Sequence, residues 1–159
     1  MLLAAAACTA CGPQVIEGRP PFVSIATLSL VENDLTAEFR VDNQNEVAMN
    51  IQAVDITVAV NDAELLRENR NLQLSIDANS AEDVRVAQQP SDLARDSLMS
   101  LERHEVNSLP FTLSGRVLTQ EDGYLRFEQK GHLYPVPGRP GSFRSAVTQA
   151  QELRRDDKL

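Results

Sequence analysis

Residues 49–61 read MNIQAVDITVAVN, and the alternation of apolar and polar side chains in them has the period of a β-strand buried on one face. The alternation changes phase inside the run. Met49, Ile51 and Ala53 hold one parity, then Val54, Ile56, Val58 and Val60 hold the other, so a β-bulge near Ala53 is needed to bring both sets to one buried face. Asn61-Asp62 follows as a turn pair that accepts left-handed backbone.

The same signature extends both ways along the chain. Leu35 to Asp42 puts Leu35, Ala37, Phe39 and Val41 on one face and Thr36, Glu38, Arg40 and Asp42 on the other, the pattern of a strand with one wet face. Before it, Val23 and Ile25 give way to Ala26, Leu28 and Leu30, a second phase change. Further strands are expected around Leu72, Leu74 and Ile76, around Val84 and Val86, from Leu109 through Phe111 and Leu113 to Val117, and from Leu125 and Phe127 towards Leu133. Asp77-Ala78-Asn79-Ser80 and Glu121-Asp122-Gly123 supply the turns between them.

One stretch departs from the β period. After Pro90, Ser91 can cap a helix from Ser91 to Arg103 in which Leu93, Ala94, Leu98 and Leu101 share a face and Asp92 lies near the N-terminus. From Pro135 onward Pro and Gly recur and the charged end, Glu152 to Leu159, has little to bury, so residues 135–159 read as a mobile tail. The expectation is therefore one all-β domain over residues 22–134, a β-sandwich of about seven strands with one short helix. Its 42% apolar and 24% charged residues are ordinary for a globular domain.

Residues 1–21 read as a signal remnant, lipobox and tether. Met1 to Ala7 is apolar and gives way sharply to Cys8, Thr9, Ala10, Cys11, Gly12 and Pro13. The run is too short to cross a bilayer, which takes ~20 apolar residues, and it lacks the basic residues that open an export signal; we read it as the end of a longer one. Ala5-Ala6-Ala7-Cys8 resembles a bacterial lipobox, with Ala5 where Leu is usual. The resemblance implies that the Cys8 thiol receives diacylglycerol, that Cys8 becomes the first residue after cleavage, and that Thr9 behind it directs delivery to the outer membrane, facing the periplasm. Burial of acyl chains is worth ~0.8 kcal/mol per CH2, so several chains anchor stably. A plain secretory signal and a Cys8-x-x-Cys11 redox pair are the alternatives; the second lacks the βαβ setting that lowers a thiol pKa. Cys11 is the other candidate for the lipid. These two are the only cysteines, so the domain is expected to hold together without a disulfide.

The net charge of −8 and the absence of any Lys/Arg cluster exclude nucleic acid as a partner. His104 and His132 lie far apart and at no metal-ligand spacing, no strand-turn-helix elbow presents a nucleophile, and Gly138-Arg139-Pro140-Gly141 is too Pro-rich for a phosphate loop. The acidic residues are scattered instead of clustered as calcium requires. No enzymatic activity, cofactor, metal or small-molecule substrate is expected.

Over residues 35 to 131 the order of features resembles the late embryogenesis abundant type 2 family, the water-stress and hypersensitive-response domain. An apolar strand ends in Val41, Asn43-Gln44-Asn45 follows, then come the long strand to Val60 and its Asn61-Asp62 turn. Ile76-Asp77-Ala78-Asn79-Ser80 precedes Val84 and Val86, and Leu113, Ser114, Gly115 and Val117 precede Phe127 and Gly131. The family's Asn-Pro-Asn has Gln44 in place of its Pro here, with both turn-bonding Asn residues kept. The resemblance implies an immunoglobulin-like or fibronectin-III-like sandwich, an association with desiccation and osmotic stress, and no catalytic residues. Two functions follow as expectations: stress protection of the cell envelope by an anchored domain, or a non-catalytic module that binds an envelope protein by adding a strand or by presenting the loop Asn43 to Glu46. In either case protein purified from native membranes is expected to carry acyl groups on Cys8, and an intact mass without them would remove the membrane anchor from both.

Overall fold

The computed structural model describes residues 19–155, with side chains described over residues 19–148. Cys8 and Cys11 lie outside the described residues. The elements in chain order are β1 (Phe22–Val31), β2 (Asp34–Asp42), β3 (Met49–Val60), β4 (Ala63–Ile76), β5 (Ala81–Gln88), α1 (Asp92–Glu102), β6 (Leu109–Thr119), β7 (Gly123–Pro135) and β8 (Ser142–Arg155). The chain is all-β with one short helix, and every pairing is antiparallel.

Both phase changes are bulges. In β1 the register slips between Ile25 and Thr27, and in β3 between Ile51 and Ala53. Val23, Ile25, Leu28 and Leu30 are buried, as are Met49, Ile51, Val54, Ile56, Val58 and Val60, so each bulge returns the apolar set to one face. Ala26 is itself the extra residue of its bulge and is exposed, where the sequence reading placed it with the buried set. β4 starts at Ala63, well before the expected Leu72, because Asn61 (φ 47) and Asp62 (φ 63) make a two-residue hairpin that leads straight into it. Leu65 and Leu66 are both buried there because the ladder slips again between Val58 and Ala59.

Among the described residues the strands number eight where about seven were expected, and the eighth comes from the segment read as a mobile tail. That reading is corrected: Ser142–Arg155 is β8, paired along β7 from Pro135↔Phe143 to Leu125↔Arg155. Its residues are mostly polar, so hydropathy does not mark it. The backbone edge of β7 does, because an unpaired edge on a long strand is satisfied by a further strand whatever its side chains.

The eight strands form one sheet in the order β4-β3-β6-β7-β8-β1-β2-β5, in place of the two separate sheets expected for a sandwich. The sheet curls into a nearly closed barrel around a single apolar cluster. Two places set that shape. Between β8 and β1 only Leu28↔Phe143 and Ser29↔Ser142 are in register, extended by the Leu30 N–H bond to the Gly141 carbonyl at 2.7 Å and by Ser145 Oγ donating to the Ile25 carbonyl at 2.9 Å. Between the end strands β4 and β5 no ladder forms, and side chains bridge the seam. Arg70 Nη2 donates to the Arg85 carbonyl at 3.4 Å, and Gln88, in the amide orientation that satisfies both groups, donates to the Arg67 carbonyl at 3.0 Å and accepts from the Arg67 N–H at 3.1 Å.

Helix α1 packs against β3, β4, β6 and β7. Ser91 is its N-cap, accepting from the Ala94 N–H at 3.3 Å while its hydroxyl donates to the Glu64 carbonyl at 2.9 Å, which ties the helix start to β4. Ala94, Leu98 and Leu101 are fully buried, but Leu93 is 73% exposed, against the expectation that it shared their face. Ala94, Leu98 and Leu101 follow i, i+4, i+7; Leu93 is one residue, about 100° round the helix, off the centre of that stripe.

Gly141 is the most constrained residue of the β8–β1 corner. Its φ is +71, and a Cβ there would lie 2.3 Å from the Leu30 carbonyl oxygen. Gly141→Ala is expected to destabilise the domain by about 1–3 kcal/mol through the left-handed backbone and the clash together. Urea unfolding checks this, and wild-type stability in the variant would show that the corner tolerates separation.

Candidate functional site

Asn43 ends β2 at the opposite end of the barrel from α1 and is 2% exposed. Its side-chain Nδ2 donates to the carbonyls of Val47 at 2.8 Å, Ile76 at 3.1 Å and Asp77 at 3.1 Å, and its Oδ1 accepts from the Asn45 backbone N–H and side chain, each at 3.0 Å. Its backbone N–H donates to the Ser80 carbonyl at 2.8 Å. One carboxamide thus joins the β2–β3 loop to the β4–β5 turn. A buried amide of this kind contributes only when all of its groups are bonded, which here they are.

Asn45 extends the node to the N-terminal segment. Its Oδ1 accepts from the Arg19 N–H at 2.6 Å and its Nδ2 donates to the Arg19 carbonyl at 2.8 Å, so one side chain engages both backbone groups of one residue, as a neighbouring strand would. Its own carbonyl accepts from the Asn79 N–H at 3.0 Å. Gln44, between the two asparagines, is exposed, and Val47 is 63% exposed. Of the three loop residues singled out in the sequence, two turn inward to hold backbone and one faces solvent. The Arg19 contact spans 26 residues, and nothing in the local pattern around Arg19 or Asn45 announces it.

A second tie at this end was also not legible in the sequence. Asn50 Nδ2 donates to Glu121 at 2.6 Å, the Asn50 N–H to the same carboxylate at 3.3 Å, and the Gln120 N–H to the Asn50 carbonyl at 2.9 Å, pinning the β6–β7 turn to the start of β3. Burial works to raise the Glu121 pKa; the bonds from the Asn50 side chain and from backbone outweigh it and hold the carboxyl below its ordinary value.

A cavity of about 470 Å³ on the outer face of β3, β6 and β7 is lined by charged and hydroxyl groups, with no histidine or cysteine. There Arg116 Nε meets Asp55 at 3.3 Å, an exposed pair of small energetic weight, and the Arg116 Cζ lies 5.0 Å from the centre of the Tyr124 ring. His104 is exposed just past α1, and His132 is half-buried on β7 opposite Pro110. Among the described residues no group of three His, Cys, Asp or Glu side chains could hold a metal ion, and no helix is long and apolar enough to cross a membrane.

The model of the late embryogenesis abundant protein family matches residues 38–130. That span runs from β2 through most of β7 and takes in the Asn43–Asn45 node. A comparison with curated protein sequences found no match. Among solved structures, the chain is similar to a protein from Archaeoglobus fulgidus at 9% identity and TM-score 0.36, over 90% of this chain and 100% of that one. It is also similar to a protein from Arabidopsis thaliana, known from a solution structure, at 15% identity and TM-score 0.46, over 95% of this chain and 91% of that one.

Asn43→Asp keeps the shape of the side chain but sets a buried oxygen against three carbonyls. The expected cost is about 3 kcal/mol, more than for Asn45→Ala, whose groups can reach water. Equal losses in thermal or denaturant unfolding would show that the node does not centre on Asn43.

Proposed function

We propose, from the premise that this chain belongs to the late embryogenesis abundant protein family, that it is a non-catalytic, lipid-anchored domain that protects the cell envelope during water loss. The observation that carries the reading is the family match over residues 38–130. The lipobox-like Ala5-Ala6-Ala7-Cys8 supports the anchor and the outer-membrane address, facing the periplasm. Attachment through Cys8 is compatible with the fold: Asn45 holds the chain at Arg19 at the barrel end opposite α1, so a lipid on Cys8 would leave the α1 end free to face away from the membrane. We read the barrel itself as a joined form of the immunoglobulin/fibronectin-III-like sandwich. The ladder between β8 and β1 is only two register pairs long, and this short link divides the strands into layers of five and three around the one core.

The second reading, a binding module for an envelope protein, is favoured by the exposed Gln44 and Val47 on the loop whose two asparagines are held rigidly. Its occupant would be a protein partner, with the loop as the contact.

A deletion strain is expected to survive controlled drying less well than its parent, and a strain restored with Cys8→Ala is expected to remain sensitive. Full survival of the deletion strain would overturn the protective role, and full rescue by Cys8→Ala would overturn the need for the anchor.

A further inference from the structure

At one place the ladders on both sides of β3 lose register together. Ile51 pairs with Leu74 and Ala53 with Asn71, so Gln52 alone stands against Leu72 and Gln73 of β4. On the other side Ile51 pairs with Thr119 and Ala53 with Leu118, so Gln52 is also an extra residue relative to β6. A bulge in both ladders at once bends the central strand away from its neighbours and leaves a concavity where backbone groups fall outside the regular pairing. A cavity of about 830 Å³ lies at this fault.

The chemistry of its lining differs from that of three other cavities on the surface. No ionisable side chain lines it, although 24% of the chain is charged and the cavities at Arg116, at the end of α1 and at Pro110 all have charged walls. Carboxamides surround it instead. Asn50 is committed to Glu121, while Gln52, Asn71, Gln73 and Gln120 are exposed. On the same outer face Ala53 and Leu118, paired across the ladder, supply an apolar floor, while Leu74, in register with the buried Ile51, and Leu72 turn to the core side.

Each free carboxamide offers a donor and an acceptor within one rigid group. Sugar hydroxyls also donate and accept, and the C–H face of a pyranose ring matches the apolar surface of Ala53 and Leu118. An anion or cation would leave water for a lining that carries no charge of its own, beside a Glu121 carboxylate already bonded to Asn50, which is unfavourable. A peptide strand needs a continuous edge to pair along, and the fault interrupts the ladder here. We propose that this cavity binds a neutral saccharide. The proposal stands apart from the stress-protection reading and from the membrane anchor.

The test is a ¹H–¹⁵N titration of the full chain with maltohexaose, cellohexaose and chitohexaose, and with an uncharged capped hexapeptide as the competing class. At least one saccharide is expected to shift, saturably, the backbone and side-chain amides at residues 50–53, 71–75 and 118–120, leaving those around Arg116 unmoved. Asn71→Ala with Gln73→Ala is expected to weaken that binding roughly tenfold, the loss of one or two neutral hydrogen bonds. Both positions are exposed, and an unchanged thermal transition verifies folding. Shifts with the hexapeptide alone would overturn the saccharide assignment, shifts with none of the probes would overturn the site, and full affinity in the folded double variant would place binding elsewhere.

Discussion

The Leu30 N–H bond to the Gly141 carbonyl, with the two register pairs beside it, carries the sheet round the corner between β8 and β1. Without this corner the three strands β1, β2 and β5 would have no ladder to the other five, since β4 and β5 at the ends of the order are joined by side chains alone. The apolar cluster is shared by both groups of strands, so the corner must hold them close enough to exclude water from Phe39 and Val41 on one side and Val54, Ile56 and Val117 on the other. Hydrophobic burial supplies the drive, and the corner supplies the geometry in which that burial is complete. Inside the five-strand part, Phe111 lies opposite Gly131 and Phe127 opposite Gly115, so each ring finds the space left by a missing side chain across the ladder.

The two ends of the barrel are closed by different means. At one end α1 inserts Ala94, Leu98 and Leu101, an apolar plug. At the other the closure is polar: Asn43, Asn45 and the Asn50–Glu121 pair hold loops that no side-chain core could fix, because their carbonyls and N–H groups need partners before they can leave water. The consequence is directional. The N-terminal segment is held at the polar end, and the apolar end is left at the far side, an asymmetry that any attachment through the N-terminus would inherit.

The outer face shows a related division. Where the ladder is regular, as at Arg116 opposite Asp55, exposed positions carry charges that pair across strands. Where it is faulted at Gln52, the cavity is lined by uncharged side chains, carboxamides with Ala53 and Leu118. Irregular backbone exposes N–H and C=O groups of both kinds, and neutral groups that both donate and accept can sit beside them in a way that a single-signed charge cannot.

Much of this architecture follows from period alone. The parity changes at Ile25 and at Ala53 could be read as bulges because a strand buried on one face cannot afford a register slip, and Asn61-Asp62, Ser91 and the Asn43–Asn45 pair were legible because turns and caps demand those residue types locally. Local chemistry does not reach across the chain. β8 is polar and exists because β7 needed a partner; the Asn45 grip on Arg19 and the Asn50 bond to Glu121 join residues 26 and 71 positions apart; and Leu93 is exposed because helix geometry, not hydrophobicity, chose which face meets the core. Element type was therefore written in short-range pattern, whereas closure into one sheet, and the fault that opens a cavity in it, arose only when backbone groups far apart in the chain had to find one another away from water.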